Sequence, residues 1–414
     1  MPKTSDPQEI LELLDTPEGR DNPYPLYDLL RQHPPMYDER HKATLLVNYT
    51  DCVAALSGRG FRRPDDTWLK RRIPGWAEHP SVVGFARMMQ FGDSMSHPRR
   101  RGVVNRFFSK RRITALVTSE AAVVDVLLDD LVRDITDQGE ADIQDGLSYR
   151  LPSISIAGLL GLPEDEVAGF RPHTLAFANL LEPDLPAYLL SEADRSFLEL
   201  EEYFEQVIGD RRRHPHDDLA SYLVHVHDSD PDVLSRDELT AMFVSVFVAG
   251  TMNTSSFLGN GTAALLHAPQ AAARLRDDPS LTPAAVTEML RYDAPMQVTR
   301  RMATEDMELS GRRIAADTEL AVVLGAANRD PAVYRDPHMF VLNRTDPAPI
   351  SFGGGAYFCI GSAMAQQEGV LIFDKLLARL PALRAGSSPE HNLRSVLRGY
   401  LHLPVTTKPP TAAT

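Results

Sequence analysis

Between about residues 95 and 295, apolar residues recur every three or four positions, the spacing that gives a helix one buried face. The runs "RRITALVTSEAAVVDVLLDDLVRDI" (111–135) and "LEEYFEQVIGDRRR" (200–213) show it most clearly. Two-residue alternation is confined to short pieces nearer the ends: "ATLLVNY" (43–49), "MELSGRRIAADTELAVVL" (307–324) and "GYLHLPV" (399–405). The pattern predicts a mainly α-helical body with small β-sheets beside it.

One helix stands apart. Ser235 and Glu238 have capping-box spacing, and Pro269 closes the run that follows, so about 33 residues would extend ~50 Å at 1.5 Å per residue. As far as Phe247 this helix is apolar on every side, which predicts burial. Its middle then turns small and polar: Ala249, Gly250, Thr251, Met252, Asn253, Thr254. Gly250 costs about 1 kcal/mol relative to alanine there, and buried hydroxyls need partners. Either something lies against that stretch or its hydrogen-bond ladder opens locally.

Composition narrows the class. The 414 residues, 43% hydrophobic and 24% charged, are globular in character and long enough to enclose a cofactor. The expectation is a single domain over 1–414, with about 20 N-terminal and 10 C-terminal residues peripheral. "MPKTSDPQEILELL" lacks the pattern of a secretory leader, and no uninterrupted apolar stretch reaches the ~18 residues of a membrane span, so a cytoplasmic protein is expected. A net charge of -14 argues against general affinity for nucleic acid or anionic membrane. Against that background "HPRRRGVVNRFFSKRRI" is basic: Arg99, Arg100, Arg101, Arg106, Lys110, Arg111 and Arg112 form either a solvated helix face or a docking surface for an acidic protein.

Of the two cysteines, Cys52 in "NYTDCVAAL" reads as a small buried helix residue. Cys359 lies in "SFGGGAYFCIG" (351–361), where a buried thiol, a disulfide or a metal-bound thiolate compete, and the setting disfavours the disulfide. Two other stretches bear on that choice. Glu288 and Arg291 stand three apart on a helix expected to be capped by Thr282 with Pro283 in its first turn, and Arg344 closes a turn-rich stretch before the cysteine loop.

Together these residues resemble the cytochrome P-450 superfamily, the haem-thiolate monooxygenases, and specifically its soluble bacterial members. The family's Phe-Gly-x-Gly-x-His/Arg-x-Cys-x-Gly loop corresponds to Phe352, Gly353, Gly354, Gly355, Ala356, Tyr357, Phe358, Cys359, Ile360 and Gly361. Its Glu-x-x-Arg corresponds to Glu288 and Arg291, its meander arginine to Arg344, and its His-x-x-x-Arg to His97 and Arg101. The resemblance covers roughly residues 20 to 405. It implies a cytochrome P-450 fold with haem b between a long distal helix and a proximal cysteine loop.

By that resemblance Cys359 is the metal ligand, and Phe352, Gly353 and Gly361 shape its loop. His97, Arg101 and Arg301 converge on the haem propionates, while Glu288, Arg291 and Arg344 form a structural charge network. Two departures stand out. Tyr357 replaces a histidine or arginine and brings no charge, so either haem is held less firmly or another cation substitutes. On the distal helix, where the family carries an acid followed by an alcohol to relay protons, Met252 and Asn253 stand, with Thr251 and Thr254 displaced around the helix by about 100° per residue.

The resemblance places the substrate roof at Met89, Phe91, Leu180, Val248, Met252, Met296 and Val298, each of which is also a plausible core residue. It implies oxygen insertion, by hydroxylation or epoxidation, into a bulky, largely apolar small molecule, as a secondary-metabolite tailoring step. Alternatives are ring closure, aryl coupling, desaturation or nitration, and a peroxide-driven or non-oxygenating haem protein. No flavin or nicotinamide motif is present, so electrons should come from outside, and the resemblance implies a monomeric enzyme supplied from NAD(P)H through a ferredoxin reductase and an acidic ferredoxin.

Overall fold

The computed structural model describes residues 5–73, 75–91, 96–183 and 185–408. Residues 92–95, just before the basic segment, and the tail from 409 onward lie outside the described residues.

The long helix runs Arg236–His267, with the capping box between Ser235 and Glu238 formed in both directions. Its apolar length is spent on the protein interior, since 83% of its most apolar window is buried. The N-terminal half, from Met242 to Val248, packs with Phe85, Phe107, Phe197 and Phe204 in one core. The C-terminal half, from Phe257 to Leu265, packs with Met289, Ile372 and Phe373 in a second. Between these anchored ends lies the polar stretch 249–256, from which only Met252 joins either core.

The helical run at 111–135 is two helices, Lys110–Ser119 and Ala121–Gln138, which part at the buried Glu120. Thr282 starts its helix without capping it. Leu281 takes the cap position after a short turn, and the Thr282 hydroxyl donates to Asp374.

Five strands form the main sheet, in the order Met36–Asp38, Ala43–Leu46, Glu319–Val323, Val298–Ala303, Phe61–Arg62. Ala43–Leu46 runs parallel to Glu319–Val323, and the other pairings are antiparallel. Arg301 stands opposite Leu320 in this sheet. The N-terminal segment is not peripheral: Ile10 and Leu11, 0% and 3% exposed, pack with Tyr24, Leu45 and Ala321 against it. Cys52 is buried beside the sheet, its Sγ 3.2 Å from Leu46 O.

Candidate active site

Behind the cysteine loop, Glu288 is buried with its carboxylate fully used. Arg291 donates Nε and Nη2 to its two oxygens at 2.7 and 2.8 Å, Arg344 Nε reaches both at 2.8 and 2.9 Å, and the Val341 N–H adds a bond at 2.8 Å. Both guanidiniums also donate to backbone carbonyls, including Met339 O at 3.0 and 2.8 Å. The helix is thereby clamped to the chain approaching the cysteine. Asn328 continues the clamp: its Nδ2 donates to Ser351 Oγ at 2.8 Å, and its Oδ1 accepts the Ile350 N–H at 2.9 Å.

From that support the chain turns back at the glycines. Gly353 and Gly355 have φ of 72° and 62°, left-handed values that side chains with a Cβ disfavour. A Cβ on Gly355 would also stand 2.7 Å from Leu56 O. The Cys359 N–H then closes the loop onto Phe352 O at 2.9 Å. Cys359 is exposed by area because it opens into an internal cavity, not onto the outer surface. Burial raises its thiol, while the N–H groups of Gly361 and Ser362 and the charge of Arg101 pull it down. These are donors that favour a thiolate.

The cavity measures about 370 Å3 and joins the loop to the long helix. Its wall brings together His97, Arg101, Arg301, Phe352, Gly353, Tyr357, Cys359 and Gly361 from the proximal set, and Gly250, Met252, Asn253 and Thr254 from the long helix. All seven roof residues line it: Met89, Phe91, Leu180, Val248, Met252, Met296 and Val298.

Thr251 does not join this wall. Its hydroxyl donates to Phe247 O at 2.8 Å inside its own helix, and the residue is 3% exposed. Gly250 has a packing reason to be glycine, since a Cβ would lie 2.3 Å from Ile156 Cδ1. The polar stretch is therefore a close helix crossing with its ladder intact. Asn253 Nδ2 donates back to Ala249 O at 3.1 Å, which commits one of its two N–H groups to the helix.

Among the described residues, the cations near Cys359 have no acidic partner. His97 packs at a tilt against Tyr357 with ring centroids 4.3 Å apart, and burial together with Arg101, Arg63, Arg100 and Arg301 lowers its pKa to about 4. It is thus a neutral donor at pH 7. Arg301 is 1% exposed, donates Nη1 to Arg300 O at 2.9 Å, and leaves Nη2 buried without a partner. Arg101 Nη1 donates to Phe358 O at 2.7 Å, pinning the residue beside the cysteine. Arg63 also lines the cavity, a residue the sequence reading missed.

Glu368, another residue missed, reaches the same wall from the helix Ser362–Arg379. Burial, then the neighbouring Glu120, holds its carboxyl well above the usual carboxylate range; burial also raises Glu120, and Ser155 opposes the rise in both.

The basic segment is less open than its composition suggested. Arg99 and Arg100 both bind Glu238, at 2.5 and 2.8 Å, and Arg100 Nη1 also donates to Met88 O and Phe91 O at 3.2 and 3.1 Å. Burial alone would raise Glu238, yet Arg99, the Ser235 N–H and Arg100 hold it down at about 2. These two arginines fasten the roof segment to the start of the long helix. Arg112 pairs with Asp217 at 3.0 Å, and Arg106, Lys110 and Arg111 remain on the exposed face.

The cytochrome P-450 family profile matches residues 183–398. The chain is 34% identical over 397 residues to the 6-deoxyerythronolide B hydroxylase of Saccharopolyspora erythraea, covering 92% of this chain and 95% of that protein. It is 33% identical over 392 residues to the cytochrome P-450 monooxygenase PikC of Streptomyces venezuelae, covering 93% and 91%. The crystal structure of CYP164A2 from Mycobacterium smegmatis with econazole bound matches with a TM-score of 0.87 at 30% identity, over 96% of this chain and 100% of that one.

Proposed function

Since the chain belongs to the cytochrome P-450 family and is a haem-dependent monooxygenase related to secondary-metabolite tailoring enzymes, we propose that it inserts oxygen into a bulky, largely apolar small molecule held above Cys359. The observation that carries this reading is the cavity, a largely apolar space lined both by the cysteine loop and by every predicted roof residue.

The residues fit haem. Arg301 Nη2, buried without a partner, needs an anion, and the neutral His97 and the Arg101 guanidinium line the same wall as further donors. Cys359 offers its sulfur on the same wall, where Gly361 and Ser362 donate towards it. In this reading Cys359 is the proximal ligand, His97, Arg101 and Arg301 hold the propionates, and Tyr357 stacks between them. Haem bound through a thiolate supplies dioxygen activation, because the sulfur pushes electron density towards O–O cleavage.

The chain's own groups must then position substrate and deliver protons. Met89, Phe91, Val248, Met296 and Val298 exclude water around an apolar substrate. Of the two threonines beside Asn253, Thr254 is the one that lines the wall, and Asn253 can orient water or a substrate hydroxyl through its remaining N–H and its carbonyl. A cytoplasmic monomer fed by an acidic ferredoxin and its reductase completes the assignment.

A second reading, in which the oxidising equivalents drive ring closure, coupling, desaturation or nitration, is favoured by one observation: Met252 and Asn253 occupy the relay positions while Thr251 is turned into its helix. Incubating a metabolite extract with enzyme, ferredoxin system and isotope-labelled dioxygen separates the two by mass spectrometry. Oxygen insertion gives a product carrying one labelled atom; a product formed by hydrogen loss or coupling without label supports the second. Asn253→Thr should raise the yield of product per reductant under the first reading, whereas lost product with intact haem supports the second. Turnover with peroxide alone would instead identify a peroxide-driven enzyme.

A further inference from the structure

We propose that Arg63, which lies in none of the motifs that identified the family, binds a haem propionate and supplies the positive charge that Tyr357 does not. The inference rests on the reading above that this cavity holds haem against Cys359.

Strand register brings Arg63 to the site. The edge strand Phe61–Arg62 pairs Phe61 with Ala303 and Arg62 with Met302, so the next residue, Arg63, comes level with Arg301. The neighbouring arginines differ in their use. Arg62 is taken up by Asp65 at 2.6 Å and Asp317 at 3.1 Å on the outside of the sheet. Arg63 turns to the cavity instead, with its Cζ 5.2 Å from the centre of the Tyr357 ring. Arg301 Cζ stands 5.1 Å from that same ring.

Two guanidiniums thus share one aromatic ring, and each has a buried nitrogen without a partner: Nε of Arg63 and Nη2 of Arg301. Burial and the charge of Arg63 lower Arg301 to about 9, and burial lowers Arg63 to about 10, so both stay protonated near pH 7. Among the described residues no carboxylate acts on either; Tyr357 acts on both, and Arg63 acts on Arg301. A cation–π contact with tyrosine does not offset two adjacent buried charges, nor does it bond their free N–H groups. An anion lying between them does both. The carboxylate arms of haem are the anions this family brings, and a histidine or arginine at 357 would have made Arg63 unnecessary. The positive charge has moved from the cysteine loop to the sheet edge.

The test compares haem-loaded wild type with Arg63→Met and Arg63→Lys. Haem transfer to excess apomyoglobin should be about tenfold or more faster in Arg63→Met, as expected for loss of a charged hydrogen bond, and intermediate in Arg63→Lys. The reduction potential should fall in Arg63→Met, because a removed cation no longer favours the reduced state, while the thiolate signature of the ferrous carbon monoxide complex stays. Adding Tyr357→His to Arg63→Met should restore retention. Wild-type transfer rate and potential in Arg63→Met would overturn the proposal while leaving the haem site standing. If Arg63→Met does not fold, Arg63→Lys decides: unchanged retention and potential with a shorter, differently placed cation would count against a specific propionate contact. A wild type without the thiolate signature would overturn the haem reading itself.

Discussion

Glu368 and Glu120 place two carboxyls side by side in the interior, where each raises the cost of ionising the other and neither has a basic partner acting on it. Both are held above the ordinary value of 4.5. Below that value the folded and unfolded chains are equally protonated and the pair has no effect. As pH rises through it, the unfolded chain ionises while the folded one keeps its protons, so stability is lost progressively until the folded groups ionise too. The thermal midpoint of the holoenzyme should therefore fall between about pH 5 and about pH 8, and Glu368→Gln should flatten that fall by ~1.4 kcal/mol for each unit by which the pKa is raised. A variant as pH-sensitive as wild type would show that the pair is ionised or hydrated in the native state. Sequence could not single these two acids out of 57 Asp and Glu, because their character comes from which helices enclose them.

At the scale of elements, the long helix explains why its middle is small. Ile156 projects from the helix Arg150–Leu160 onto Gly250, and the two helices cross where a Cβ would collide. Gly250→Ala should gain about 1 kcal/mol in helix propensity yet lose ~1–3 kcal/mol through overpacking, giving a net loss of stability in denaturant titrations. Ile156→Val should relieve part of that loss, and a double-mutant cycle measures the coupling. Additive effects would mean that the helices separate freely at this point. The capping box was legible from Ser235 and Glu238 alone; that Glu238 also receives Arg99 and Arg100 was not, because those arginines are 138 and more residues away.

For the whole molecule, the arrangement of charge bears on the proposed docking of a redox partner. With Arg99 and Arg100 committed to Glu238, and Arg112 to Asp217, steering of the proposed acidic ferredoxin would fall to Arg106, Lys110 and Arg111. The double variant Lys110→Glu, Arg111→Glu should slow reduction by ferredoxin by about tenfold or more at low salt and flatten its ionic-strength dependence, with the thermal midpoint unchanged. Arg99→Ala should instead lower the thermal midpoint through the roof and the long helix. Equal salt dependence in wild type and the double variant would place the docking surface elsewhere.

The sequence by itself determined the helical body with small sheets, the length and cap of the central helix, the cysteine loop and the charged residues behind it. These follow from local periodicity, from turn-forming glycines and from short ordered motifs, all carried by neighbours in the chain. Tertiary structure alone decided that Thr251 turns inward, that Gly250 serves a helix crossing, that half the basic run is tied down, and that Arg63 reaches Tyr357. Each depends on a partner supplied by a distant element: Ile156 for Gly250, Glu238 for Arg99 and Arg100, and the strand holding Arg301 for Arg63. No periodicity reports such a partner, because strand register and helix crossing are set by the packing of the whole chain.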